Sequence, residues 1–230
     1  ESQAISTSIT YSKFIENYLK KGKEPVLPTI TIIGKEKEGE KNKILETSSP
    51  EAKTKLDKLG IFKKDKLLGY ISKNESRGIN ILSNQVDNMI LSYKCGSGNI
   101  VTDLTQMKTT MKSSLKNNKP IINIKITADG AIREITCNKD IENGKVITKI
   151  EKKTEKKVKK QVEEAISTIQ KKYKSDIFGF GNLFYKKYPK YFNENQKNRN
   201  DKVFPKIKVN VDVDISLLSK GSVENSIKGE

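Results

Sequence analysis

The sequence predicts an α+β protein in two domains, each a largely antiparallel β-sheet with helices packed on one face. Three observations carry that expectation. Strict period-two alternation occurs in "IINIKIT" (121–127) and "KIKVNVDVDISLL" (206–218), so each strand has one apolar and one polar face and belongs to a sheet covered on one side. Residues from about 145 to 174 carry the longest helical pattern, with Ile147, Ile150, Thr154, Val158, Val162, Ile166, Ile169 and Tyr173 recurring at three and four. Helix and strand signals alternate up to about residue 86; beyond it, strands follow one another until that long helix. This change places a boundary near 84–88 and divides the chain into 1–86 and 87–230.

Composition narrows the function. The 230 residues are 34% hydrophobic and 32% charged, with no Trp and no His. That is lean for a globular chain, but the apolar residues are patterned rather than scattered, which argues against disorder. The formal net charge of +17 invites a nucleic-acid partner. Two details weaken that reading. Only Arg77, Arg133 and Arg199 supply the planar fork that suits phosphates and base edges, and the lysines are interleaved with Asp and Glu as on solvated faces. A milder pull toward anionic lipid or cell-wall polymer remains. No apolar run approaches the roughly 18 residues of a membrane span. The chain opens "ESQAIS" without an initiator Met, and the expectation is a processed or trimmed piece whose targeting segment lies outside it.

The elements follow in order. "TSITYSKFIENYLKK" (7–21) has one apolar stripe and a stop at Gly22, so a helix is expected. "PVLPTITIIG" is a β-branched edge strand with its prolines at the start. "KEKEGEKN" reads as a charged turn, "KILET" as a short strand, and "SSPEAKTKLDKL" as a helical turn capped by Ser49, Pro50 and Glu51. "LGIFKKDKLLGYI" is a hairpin turning at "KKDK". Ser72 and Glu75 have the spacing of a capping box, opening a helix in which Gly78 implies close approach of a neighbour. From Val86 the strands are "DNMILSYKC", "IVTDL", "QMKTTMKSSL", "IINIKIT" and "AIREITC", the last two separated by an Asp129-Gly130 turn. In the long helix, Glu155 and Lys159 stand in the favourable i,i+4 order. Ser175 or Asp176 caps a second helix, Pro189 starts or breaks the next turn, and the final alternating strand (about 206–218) is expected inside an antiparallel sheet.

Catalytic chemistry finds few candidates. Without His, neither a Ser-His-Asp nor a Cys-His arrangement can form. Asp212 and Asp214 could pair on a divalent ion, but alternation puts both on the wet face of a strand. "CGSGN" and "FGFGN" match neither the dinucleotide nor the P-loop spacing. A Cys95–Cys137 bridge fits an extracellular protein; nothing in the sequence brings the two together, and two half-buried free thiols are the expectation. No enzyme activity, metal or cofactor is expected. The concentration of rings at Phe178, Phe180, Phe184, Tyr185, Tyr188, Tyr191 and Phe192 could serve bases, a membrane or a core. Helical spacing of Phe180, Phe184 and Tyr188 favours a core stripe, with Gly179 and Gly181 allowing approach to the long helix or final strand. Tyr185 and Tyr191 fall off that stripe and are the candidates for a partner surface.

"YKSDIFGFGNLFYKKYPKYF" followed by "NDKVFPKIKVNVDVDI" resembles the C-terminal signature of the spore germinant-receptor C subunits, the Ger(x)C-type lipoproteins of endospore-forming bacteria. "IFKKDKLLGYISKNESRGINIL" is similar to a second stretch of that family, a hydrophobic hairpin before a Glu-Ser/Thr-Arg-Gly helix, here Glu75, Ser76, Arg77 and Gly78. The resemblance covers most of residues 55–216. It implies a non-catalytic subunit of a nutrient germinant receptor. The family's members are lipid-anchored on the outer face of the spore inner membrane and work with a partly soluble A subunit and a multi-spanning B subunit. The lipidated Cys and first domain of that family are not in this chain, which is then a soluble fragment carrying the second and third domains. No nucleic acid is expected. The alternative is a basic cell-envelope or nucleic-acid-binding module.

Overall fold

The computed structural model describes residues 11–34, 52–138 and 143–218. Helix α1 (Tyr11–Leu19) leads to strand β1 (Val26–Gly34), which pairs antiparallel with β2 (Ala52–Lys63); β2 returns through Lys64-Asp65 into β3 (Lys66–Ile71). Lys64, at φ 57, takes the left-handed position of this tight turn. These three strands form one sheet in the order β1-β2-β3. Residues 52–60 are strand, which corrects the capped helical turn expected from "SSPEAKTKLDKL"; its proposed cap at 49–51 lies outside the described residues, as do "KEKEGEKN" and "KILET". Cross-strand pairing of this stretch with β1 outweighs a weak local helix preference.

Helix α2 (Lys73–Leu82) opens with the expected capping box. The Glu75 carboxylate accepts from the Ser72 backbone N–H at 3.1 Å and its hydroxyl at 2.7 Å. A loop leads to β4 (Met89–Cys95), β5 (Gly98–Lys116) and β6 (Lys119–Ile135), which pair antiparallel in sequence. The stretches "IVTDL" and "QMKTTMKSSL" are one strand, bulged where Gln106 takes φ 51. The turn expected at Asp129-Gly130 is likewise continuous strand. A Cβ on Gly130 would stand 2.6 Å from the Asp103 carbonyl oxygen, so this glycine serves close strand approach rather than chain reversal.

Helix α3 (Gly144–Thr168) ends in a π-helical turn (Ile169–Tyr173), stopped by Lys174 at φ 47. Its stripe of Ile150, Thr154, Val158, Val162, Ala165 and Ile166 is buried, while Ile122, Ile124 and Ile126 are buried on β6. Helices α4 (Phe180–Lys187) and α5 (Pro189–Asn195) follow, then short turns and β7 (Lys208–Leu218). Val211, Val213, Ile215 and Leu217 face inward as their alternation requires. The second sheet runs β4-β5-β6-β7, with β7 at its edge and parallel to β6, so the final strand is not inside an antiparallel sheet. The long helix between the two strands forms the crossover that a parallel pair needs.

Edge strand β7 is covered by α3. Glu151 accepts from the Leu217 N–H at 2.9 Å and Glu155 from the Ile215 N–H at 3.4 Å. Glu155 also pairs with Lys152 at 2.9 Å, in place of the Lys159 expected from spacing. Cys95 and Cys137 form a disulfide, not free thiols: Cys95 ends β4 opposite Gly98 of β5, Cys137 follows β6 on the other side of β5, and their Cα atoms stand 6.0 Å apart. Buried residues from both sheets and from α2, α3 and α4 join one contiguous cluster.

Candidate functional site: the signature segment and its surroundings

Asp176 explains why the 173–181 stretch has its composition. Its fully buried carboxylate accepts from the N–H groups of Gly179 and Phe180 at 3.0 Å each and of Gly181 at 2.6 Å, capping α4. Arg199 adds a 2.7 Å ion pair to the same group. Burial pushes the Asp176 carboxyl's pKa up; the guanidinium and the three backbone donors pull it back toward the ionised form. Arg199 also reaches Glu24 at 3.4 Å, and Glu24 in turn accepts from Asn200 at 2.5 Å and from the Lys64 N–H at 2.7 Å.

Neighbouring residues extend this stitching. The Ser175 hydroxyl donates to the Phe62 carbonyl at 2.5 Å and the Tyr173 hydroxyl to the Tyr70 carbonyl at 2.8 Å. One short segment thus ties the approach to β1, the β2–β3 hairpin, α4 and the turn before β7. Gln170, also buried, donates to the carbonyls of Phe204 and Ile207 and fixes the entry to β7.

Gly181 approaches backbone and Gly179 a side chain, but neither meets the expected partners. A Cβ on Gly181 would lie 2.6 Å from Arg199 Nη1 and 2.8 Å from the Gly22 carbonyl oxygen, and one on Gly179 would meet Lys23. They make room for the chain after α1 and for the arginine, rather than for α3 or β7. Gly22, at φ 81, stops α1 and offers its carbonyl to the Asn182 N–H at 3.1 Å. Gly78 meets the expectation of a close neighbour: a Cβ there would stand 2.5 Å from the Gln161 carbonyl oxygen and 2.7 Å from Ala165 Cβ, on α3.

Phe180 and Phe184 are buried, whereas Tyr188, at the C-cap where α4 has ended, is half-buried like Tyr185 and Tyr191. Phe178 stacks on Phe180 at 5.2 Å, and Phe180 meets Phe204 at 6.0 Å. Tyr185 and Tyr191 are half-buried, their remaining surface open. Tyr185 lies edge-on to Phe192 at 5.3 Å with the Lys21 ammonium 5.2 Å from its ring, and Tyr191 sits 5.7 Å from Phe184. Of the α2 motif, Glu75 is the cap, Ser76 is buried, and Gly78 seats α2 on α3. Half-buried Arg77 is close enough to Lys157 that, after burial, its charge helps depress that amine's pKa.

Asp212 and Asp214 lie exposed on β7, Asp214 at 3.7 Å from Lys125. Among the described residues no group of three or more His, Cys, Asp or Glu gathers as a metal site, and no helix is long and apolar enough to cross a membrane. The Glu24–Arg199–Asp176 network was not foreseen from sequence. Its available signal was the presence of an arginine in a chain where nearly every other cation is lysine.

Both unusual segments lie within the span matched by a known protein family. The chain is 27% identical over 207 residues to the Spore germination protein KC of Bacillus subtilis (strain 168), covering 89% of this chain and 51% of that protein. It is 22% identical over 176 residues to the Spore germination protein B3 of the same organism, covering 75% and 47%. The chain thus spans about half the length of the curated relatives it matches. The crystal structure of the GerBC protein shares the fold, with a TM-score of 0.71 at 17% identity over 94% of this chain and 65% of that one. The family model described as "Spore germination B3/ GerAC like, C-terminal" matches residues 57–221, a span that holds the α2 motif, the Asp176 hub and β7, and the chain belongs to that family of spore germination proteins.

Proposed function

We propose that this chain is the C-terminal part of a non-catalytic C subunit of a nutrient germinant receptor, acting by assembly with A and B subunits at the outer face of the spore inner membrane, where the full-length protein is held by a lipid anchor. The family match over 57–221 carries the reading. The character of the matched residues supports it: Asp176, Arg199, Gly78 and Gly181 fasten elements together, and none presents a reactive group to a cavity. A scaffold of this kind contributes surfaces, and Tyr185 and Tyr191 are the aromatic surfaces we assign to a partner. We further propose that 1–86 and 87–230 are the two domains, each centred on one of the two sheets.

The test is affinity isolation of the tagged full-length protein from spore inner membranes. Co-purification of the A and B subunits, reduced by Tyr185→Ala or Tyr191→Ala in a protein that still folds, is expected. A full-length protein that reaches the spore yet purifies without either subunit would sink the proposal.

A further inference from the structure

The two Asn residues that reverse the chain between β5 and β6, Asn117 and Asn118, take φ 49 and 57, and this tight turn places Lys116 directly opposite Lys119 as cross-strand partners. Like charges facing each other across an antiparallel pair are destabilising. The pair is not relieved. Neither lysine has a carboxylate within ion-pair distance among the described residues, and the same is true of Lys202, Lys206 and Lys208. Asp201, the acid adjacent to Lys202, is taken by Lys63 at 2.8 Å.

These five lysines line one cleft of about 540 Å³, whose walls otherwise consist of Tyr191, Pro120, Ile121, Val203 and the two turn asparagines, with no acid among them. That volume is ordinary for a small-molecule site. The cations come from two sides: Lys116 and Lys119 from the hairpin, and Lys202, Lys206 and Lys208 from the segment entering β7, which starts its pairing with β6 at Lys208 opposite Ile121. On α3, by contrast, lysines alternate with glutamates and pair with them, as on a solvated face. In the cleft, cations from two separate segments converge with no carboxylate paired to them among the described residues.

We propose that this cleft binds an anion carrying two or more negative charges on phosphate groups, bridged between Lys116 and Lys119 on one wall and Lys202, Lys206 and Lys208 on the other, with the Tyr191 hydroxyl as a neutral hydrogen-bonding group at its edge. Lysine suits phosphate as a mobile point charge with three donors. The apolar floor of Pro120, Ile121 and Val203 seats the non-ionic part of the ligand. A phenol is protonated at neutral pH, and burial pushes the pKa of Tyr191 further up. The phosphates could be those of a free molecule or of lipid headgroups, and the two sources are separable by experiment.

The purified 230-residue chain is titrated calorimetrically with inorganic pyrophosphate and, separately, floated with vesicles of phosphatidylglycerol or of phosphatidylcholine. Three proteins are compared: the parent, the double variant Lys119→Gln/Lys206→Gln, and the control Lys153→Gln/Lys160→Gln, which removes the same charge from the exposed face of α3. Saturable one-to-one binding of pyrophosphate identifies a free ligand; flotation with phosphatidylglycerol alone identifies a headgroup site. In either arm the cleft variant should bind about tenfold more weakly and the control like the parent, and the parent's affinity should fall as salt is raised. Equal melting temperatures for the three proteins exclude misfolding, since all four lysines are exposed. If the parent binds neither probe, or the control loses as much as the cleft variant, the site does not exist and only net charge is at work.

Discussion

Arg199 Nη1 lies 2.7 Å from Asp176 Oδ2, with the aspartate fully buried and the arginine nearly so. The pair sits where four chain segments meet, and both partners carry further hydrogen bonds, which is what makes a buried ion pair tolerable. Replacing Asp176 by Asn should therefore destabilise the protein by about 3–5 kcal/mol, because the guanidinium is left buried against a neutral group and a weaker cap. Arg199→Lys should recover little, since a single ammonium cannot reach Asp176, Glu24 and the Gly22 carbonyl together. Urea denaturation of both variants checks this; a parent-like midpoint for Asp176→Asn would show that the hub is dispensable.

Phe184→Ala should cost about 3–5 kcal/mol, since its ring is 3% exposed and packs against Tyr188 and Tyr191. Tyr185→Ala should cost about 1–2 kcal/mol, because its ring contact with Phe192 is only half-buried. Thermal melts rank the two. Equal melting temperatures would mean the inner stripe has been misplaced.

Gly78→Ala brings a methyl group against the Gln161 carbonyl at the contact of α2 with α3, and should destabilise by about 1–3 kcal/mol. Adding Ala165→Gly removes one of the two clashes and leaves the backbone one. The double variant should therefore stay well below the single Ala165→Gly control in melting temperature.

Reduction should open the Cys95–Cys137 loop, whose ends are 42 residues apart. Chain-entropy arguments put the loss at about 4 kcal/mol. The parent should show no titratable thiol before reduction, and Cys95→Ser/Cys137→Ser should melt where the reduced parent does. A thiol count of two in protein kept from reductant would contradict the bridge.

Lys157 has a depressed pKa in the folded state, first from burial and then from Arg77, and its amine donates to the Ser92 carbonyl near the Tyr93 ring. The folded chain thus binds fewer protons at this site than the unfolded one between the depressed value and the ordinary lysine value of about 10.4. In that window the Lys157 contribution should make stability rise with pH. Tyr93, held protonated by burial, works in the opposite direction above about pH 10. Lys157→Met in a Tyr93→Phe background should therefore flatten the pH dependence just below the ordinary lysine value of about 10.4, measured by denaturation at fixed temperature. An unchanged slope would show that the amine is solvated in the folded state.

Much of the fold was legible because it rests on local periodicity. The alternation of 207–217 and the three-and-four spacing of the long helix each require a buried face, and each face is buried except at Val209 and Ile147, which are half-buried. Ser72 and Glu75 announced their capping box for the same reason, the two groups being within one turn. Gly78 was read correctly as a point of close approach, Gly179 and Gly181 were assigned the wrong neighbours, and Gly130 was taken for a turn, since a glycine records only that space or conformational freedom is needed.

What sequence alone determined, then, is which residues face inward and where two unusual segments lie. Tertiary structure decided the partners. The parallel placement of β7 follows from the crossover through α3, and the Cys95–Cys137 bridge from the registers of β4 and β6 on the two sides of β5. Glu24, Asp176 and Arg199 are separated by 152 and 23 residues, so no pattern of short period could join them. Nor could it show that five lysines from a hairpin and a distant turn line one cleft. Periodicity is a property of one segment, whereas an ion pair or a cleft exists only once separate segments have been packed against each other.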